Sequence, residues 1–201
     1  MWKTCGWTKV DCTLIRIARE RCHYMSESNT TDEHLAEILS ALGNSEPHIR
    51  EKARDNLLEM GSDVTPFLIG LLSDPNENSR WEAAKILGET RDPQAAAALV
   101  KSLMDENVGV RWLAAEALIA LEGEAVVPLL QGLLAHFDDV WFRQGALHVL
   151  RTLDRFHSLD PLGQEVLEAL STVEPGVTAP WAAERALEYY LKLSKSDERS
   201  G

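Results

Sequence analysis

The chain has 201 residues, of which 45% are hydrophobic and 26% charged, so it is long enough for one or two domains with a buried core. Its 32 acidic and 20 basic residues give a net charge of −12, which opposes the phosphate neutralisation that supplies most nucleic-acid affinity. It has no run of about 18 apolar residues and no apolar signal-peptide core, so we expect a cytoplasmic protein whose partner is neither a nucleic acid nor a membrane.

Residues 1–24 differ from the rest of the chain in the sign of their charge, with five basic and two acidic side chains. They also contain all three cysteines, Cys5, Cys12 and Cys22. The odd number predicts free thiols, and the spacing matches no familiar zinc pattern. We predict that 1–24 is an extension outside the main fold, and that it is either native or upstream of a translation start at Met25.

Five copies of one pattern follow residue 32. Each has a small residue three positions and a leucine seven positions after a reference position, which is an arginine in four of the copies. The arginine position is occupied by Arg50, Arg80, Arg111, Arg143 and, in the last copy, Pro180. The small residues are Ala53, Ala83, Ala114, Ala146 and Ala183, and the leucines are Leu57, Leu87, Leu118, Leu150 and Leu187. Positions three and seven share one side of a helix, so the pattern predicts five helices with this side buried.

Each of these helices follows another segment with leucines at helical spacing. The predicted first helices are 33–42, 64–72, 93–104, 125–135 and 161–172. The pairs give repeats at about 32–60, 61–90, 91–122, 123–154 and 158–192, inside a domain at 25–193.

The segments between helices are polar or acidic. The carboxylates of Asp74, Asp105 and either Asp138 or Asp139 are expected to cap the helix that follows. The composition of 173–179 predicts a loop, and 194–201 is predicted to be a frayed polar tail.

Two segments carry a resemblance to a known family. The sequence VRWLAAEAL that begins at Val110, preceded by Asp105, and the parallel sequence RWEAAKILG that begins at Arg80, preceded by Asp74, resemble HEAT repeats of the phycocyanobilin-lyase-like class. The resemblance covers about 32–191. It implies an all-α fold, a right-handed α-α superhelix or HEAT-repeat solenoid of about five helix pairs. It also implies a ladder in which the turn aspartates lie beside Arg80, Arg111 and Arg143 of neighbouring repeats.

Such a solenoid lines its concave side with the second helices. Positions one, five and eight after the arginine point away from the buried side of those helices, and three copies have tryptophan at the first of them. The candidate groove comprises Trp81, Lys85, Trp112, Glu116, Gln144, His148, Arg151, Trp181 and Arg185. These tryptophans either contact a partner or pack on neighbouring helices, and Trp141 is expected near the turn beside their row.

Motifs for catalysis are missing from the sequence. It has no phosphate-binding glycine loop, nucleophile elbow or His-Glu-x-x-His, so we predict no catalytic, metal-binding or cofactor-binding residue. Mixed charges near the groove favour a protein or peptide ligand, and Arg143, Arg151 and Arg155 form either a solvated face or a spot for a carboxylate-bearing ligand. We predict a non-enzymatic interaction scaffold. The resemblance leaves one alternative, a chromophore-handling protein similar to the phycobilin lyases, and the oligomeric state is open.

Overall fold

The computed structural model describes residues 33–172 and 174–197, and within them the regular structure is helical. The helices are α1 (33–41), α2 (Pro47–Met60), α3 (Thr65–Leu71), α4 (Glu77–Thr90), α5 (Ala96–Ser102), α6 (Val108–Ala120), α7 (Val126–Ala135), α8 (Val140–Arg155), α9 (Pro161–Leu170) and α10 (Pro175–Asp197). The predicted extension at 1–24 lies outside the described residues. None of the helices in the described part combines the length and apolar character that crossing a membrane requires.

The helices up to α8 form two layers. Helices α2, α4, α6 and α8 pack side by side in the second-helix layer, and α5 packs on α7 in the first-helix layer, which also includes α3. Within a repeat, α3 packs on α4, α5 on α6 and α7 on α8. Short 3-10 turns at Gly61–Val64, Pro93–Ala95 and Glu122–Ala125 lead into the first helix of a pair. The predicted all-α array of helix pairs is confirmed.

The core lies between the layers, at the positions that the repeated pattern predicts. All five alanines at the third position are buried, as are four of the five leucines at the seventh, with Leu187 partly buried. Burial of one leucine side chain stabilises the fold by about 1.5–3 kcal/mol. Small residues let α4 and α6 approach closely, since a Cβ at Gly88 would lie only 3.2 Å from Cα of Ala117.

The turns between paired helices differ from the prediction in which residue caps the helix. Asn76 and Asn107 are the N-caps of α4 and α6, and their side chains accept hydrogen bonds from the backbone N–H of Asn78 at 2.9 Å and of Gly109 at 2.7 Å. Asp74 and Asp105 lie two residues earlier and accept from the backbone N–H of those asparagines, so they fold the turn.

Among the described turns between α1 and α2, α3 and α4, α5 and α6, and α7 and α8, a carboxylate caps the following helix directly only before α8. There Asp139 is the N-cap of α8 and accepts from the backbone N–H of Phe142 at 2.8 Å. The prediction that the turn aspartates cap the helices was therefore right for Asp139 and wrong for Asp74 and Asp105, because the residue with extended backbone before α4 and before α6 is an asparagine.

The last pair of helices is packed in reverse order. Helix α9 lies beside α8 in the second-helix layer, whereas α10 lies beside α7 in the first-helix layer and packs on α9. The repeat pattern had placed α10 in the second-helix layer, and this was wrong. Tyr190 of α10 helps to hold the reversed pair, because its hydroxyl donates to Asp160, the N-cap of α9. Burial and the neighbouring carboxylate raise the pKa of Tyr190, which keeps its hydroxyl a donor.

Helix α10 is also longer than predicted at both ends. It begins at Pro175, inside the predicted loop at 173–179, and ends at Asp197, inside the predicted tail at 194–201. Pro175 occupies the first helical position, where its missing N–H costs little. Pro180 lies in the second turn and removes a single helical hydrogen bond, so the helix continues through it.

A charge at the alanine position is expected to unfold the array. Ala114 of α6 is fully buried, so Ala114→Asp places an unpaired carboxylate between packed helices and should lower the free energy of unfolding by at least about 3 kcal/mol. Urea denaturation followed by circular dichroism measures the change. Ala97→Asp, at an exposed position of α5, is the control. Equal stability of the two variants would contradict the assigned core.

Helices α2 and α4 are each followed by a residue with positive φ, which is not always glycine. Gly61 follows α2 with φ of 66°, whereas Arg91 follows α4 with φ of 53°. A side chain in this conformation costs roughly 1 kcal/mol, so Arg91→Gly should raise the free energy of unfolding by about 0.5–1 kcal/mol. Arg91→Ala keeps the Cβ and should leave stability near that of the parent. A gain in the alanine variant that matches the glycine variant would show that backbone strain is not the cause.

Candidate partner-binding surface

One hydrogen bond sets the rotation of each second helix. The arginine in its first turns donates from Nη1 to the carbonyl oxygen six residues earlier, in the turn of its own repeat. The pairs are Arg50 with Asn44 at 2.8 Å, Arg80 with Asp74 at 3.0 Å, Arg111 with Asp105 at 2.7 Å, and Arg143 with Phe137. Because this contact is the same in four helices, equivalent positions of α2, α4, α6 and α8 face the same side of the layer.

A ladder between repeats forms at one step. Arg80 holds Asp105 of the next repeat through two bonds, Nε to Oδ2 at 2.7 Å and Nη2 to Oδ1 at 3.1 Å, and both side chains are 8% exposed. The hydrogen bond to Asp105 raises the pKa of Arg80 despite its burial, so the guanidinium stays charged. This contact agrees with the ladder that the resemblance implies.

The ladder is wrong at Arg111 and Arg143, which form no ion pair with a carboxylate in the described part of the chain. Phe137 stands where Asp105 would be in the fourth repeat, so Arg111 has no carboxylate there and its guanidinium instead lies 4.4 Å from the ring centroid of Trp141. Arg50 pairs with Glu82 at 3.2 Å. Arg50, Arg80 and Arg111 therefore contact chemically different groups of the next repeat: a glutamate, an aspartate and an indole ring.

Trp81 is half-buried and contributes to the packing of the stack. A Cβ at Gly109, near the start of α6, would lie 3.2 Å from Cδ1 and Nε1 of Trp81, so this indole covers the glycine. Lys85, one turn further along α4, places Nζ 5.3 Å from the ring centroid. For this tryptophan the packing interpretation of the sequence agrees with the structure.

Trp112 is 58% exposed and connects two repeats. Its indole stacks on His148 of α8 with ring centroids 5.1 Å apart and planes at 29°. His148 Nε2 also lies 3.1 Å from Glu116 Oε1, one turn after Trp112 on α6. Trp141 is 47% exposed beside them, with Arg111 over its ring. We call Trp81, Trp112, Trp141 and His148 the aromatic strip.

Seven of the nine predicted groove residues lie on one side of the second-helix layer, and two do not. Gln144 and Arg151 are exposed on α8 next to the aromatic strip. Trp181 and Arg185 lie on α10, which packs in the first-helix layer, so their assignment to this groove was wrong. Trp181 is 73% exposed, and Arg185 forms an ion pair with Glu165 of α9. Two signals could have revealed this: Pro180 in the arginine position and the long interval before it.

The contacts that build the aromatic strip were not predicted from the sequence. Nothing in the repeat pattern pairs Trp81 with Gly109 or Arg111 with Trp141, because in each case the partner lies two positions before the next arginine. Among residues 33–172 and 174–197, no three histidine, cysteine or acidic side chains are grouped so that they could hold a metal ion.

The comparisons with known proteins agree with this architecture. The family model of HEAT repeats matches residues 64–151, which span α3 to most of α8 and stop before the reversed pair. Residues 64–151 thus match HEAT repeats, and the described part of the chain is an all-α array of packed helices, as the predicted solenoid requires. The match is to HEAT repeats in general, so the phycocyanobilin-lyase-like class stays a prediction. The search of curated proteins found no match to this chain.

The two kinds of arginine contact should differ in their effect on stability. Arg80→Ala leaves the carboxylate of Asp105 buried without its partner and should lower the free energy of unfolding by about 3–5 kcal/mol. Arg111→Ala loses the equivalent bonds to its own turn and the contact with Trp141. It should lower the free energy of unfolding by about 1–2 kcal/mol. Chemical denaturation of both variants tests this order, and a larger loss for Arg111→Ala would contradict it.

Proposed function

We propose that the protein is a non-enzymatic interaction module that binds a protein or peptide through the solvent-facing side of its second-helix layer, the side predicted to be concave. The observation that carries this proposal is the aromatic strip, in which Trp112 and Trp141 are exposed yet held in place by contacts between repeats. HEAT repeats commonly mediate interactions between proteins, which agrees with this assignment.

The aromatic strip has the physical properties of a binding hot spot. Covering the exposed part of Trp112 would contribute about 2–3 kcal/mol, from an indole area of about 200 Å² at about 25 cal/mol per Å². The rings of Trp112 and His148 already stack, and Arg111 already covers Trp141, so little side-chain entropy is lost when a partner binds. Rigid aromatic groups that are half exposed dominate many protein interfaces.

The surroundings of the aromatic strip suit a polypeptide partner. Lys85 and Glu116 lie beside it with opposite charges, and Gln144 adds an exposed amide that both donates and accepts hydrogen bonds. A polypeptide offers apolar side chains, backbone amides and charges of both signs, and so can use all of these groups.

Removal of the exposed indoles should abolish partner binding without unfolding the protein. In affinity capture from native lysate, the double variant Trp112→Ala and Trp141→Ala should recover at least about tenfold less partner than the parent, since each indole is a hot-spot candidate. Quantitative mass spectrometry measures the recovery, and a thermal melt confirms the fold.

Trp181→Ala provides the matched control, because Trp181 is more exposed than either residue but lies in the other layer. It should keep the partner at the level of the parent. If Trp181→Ala loses the partner and the double variant keeps it, the proposed surface is wrong and binding occurs at α10.

A further inference from the structure

The exposed charge of the second-helix layer changes sign between α2 and α8, the first and last helices whose rotation the arginine contact fixes. At the α2 end, Glu51 and Asp55 occupy the positions that Trp81 and Lys85 occupy in α4, and both carboxylates are exposed. The middle is the aromatic strip. At the α8 end, the exposed cations of this side are Arg151 and Arg155, one helical turn apart.

These groups face the same side because their helices share one rotation. Arg50 fixes α2 through the carbonyl of its own turn, and Arg143 fixes α8 in the same way. Glu51 therefore projects from α2 in the direction in which Gln144 projects from α8. Arg155 comes twelve positions after Arg143, which places it on this side at 100° per residue.

Arg151 and Arg155 have no hydrogen-bond or ion-pair partner within the described part of the chain. Two acidic residues of α8 and α9 have other partners: Asp154 accepts from Gln164 at 3.0 Å, and Glu165 pairs with Arg185. By contrast, the arginines at the α2 end are paired, since Arg50 and Arg54 both bind Glu82. In a protein with a net charge of −12, two adjacent unpaired arginines favour an acidic ligand at this end.

We infer that the partner is an extended peptide segment of the opposite charge order, an inference that rests on the proposed function. Its carboxylates lie over Arg151 and Arg155, an apolar or aromatic side chain lies against Trp112, and its basic side chains lie over Glu51 and Asp55. The span from α2 to α8 is three helix spacings of about 8–10 Å, roughly 27 Å. An extended chain covers this distance with about eight residues.

The charge order selects the direction in which the segment binds. A segment in the opposite direction would bring carboxylates onto Glu51 and Asp55 and basic groups onto Arg151 and Arg155. Electrostatic complementarity of this kind acts on specificity and association more than on the total affinity. The aromatic strip supplies the contact area, and the two charged ends set the direction.

Peptide selection on the full chain tests the inference. Random displayed peptides of twice the predicted length are selected on the parent, and the enriched sequences should carry acidic residues towards one end and basic residues towards the other, about eight residues apart. A fluorescent synthetic copy of an enriched peptide then serves as the probe for fluorescence anisotropy. On Arg151→Glu with Arg155→Glu its affinity should fall by about tenfold or more.

Two controls separate local charge from net charge. Lys101→Glu with Lys192→Glu makes the same change in net charge at two exposed lysines of the first-helix layer, and should alter the affinity by less than about twofold. A second probe with its acidic residues replaced by lysine should bind the double arginine variant better than the first probe does.

The outcomes distinguish this inference from the proposed function. Enriched peptides that need Trp112 but show no charge order overturn the inference and leave the binding surface in place. Selection that yields no peptide dependent on Trp112 overturns both. Equal losses in the double arginine variant and the double lysine variant would show that only the net charge matters, which also overturns the charge order.

Discussion

The hydrogen bond from an arginine to the carbonyl of its own turn is the constraint on which the rest of the structure depends. Arg50, Arg80, Arg111 and Arg143 each make it, and in each helix it determines which side faces the core. The alanines and leucines of the repeat then meet the neighbouring helices, and the residue after each arginine is turned towards solvent. The aromatic strip therefore depends on the rotation of the helices as well as on the residues that form it.

The remaining donors of the same arginines join neighbouring repeats, and here the chemistry varies. Arg80 uses a buried carboxylate at Asp105, which stabilises the stack but leaves nothing for a ligand. Arg111 uses the face of Trp141, which keeps an aromatic ring half exposed and rigid. The buried ion pair and the exposed, rigid ring on which the proposed binding rests thus come from equivalent positions in successive repeats. Replacing an aspartate by Phe137 in the fourth repeat is the sequence change that allows the difference.

Local periodicity predicted the helices and the buried positions, because both depend on spacing within about seven residues. The reversed packing of α9 and α10 depends instead on contacts between α7 and α10, about 50 residues apart, which no local pattern encodes. The repeat pattern placed Trp81, Trp112 and His148 on the correct side of the layer, because their helices carry the repeated arginine. It misplaced Trp181, because Pro180 replaces that arginine in α10. The contact of Arg111 with Trp141 could not be predicted, because it depends on where the turn at Phe137, in the next repeat, lies relative to Arg111.

The reversed pair also sets a limit on how the array can change in length. A further repeat stacked after α8 would place its second helix where α9 already lies, and its first helix where α10 lies against α7. Gain or loss of repeats is therefore compatible with the fold only upstream of this pair, for example between α4 and α5. A longer relative built by internal duplication would move Arg151 and Arg155 further from Glu51 and Asp55 by one helix spacing for each repeat added, and the length of the peptide proposed here would change in the same steps.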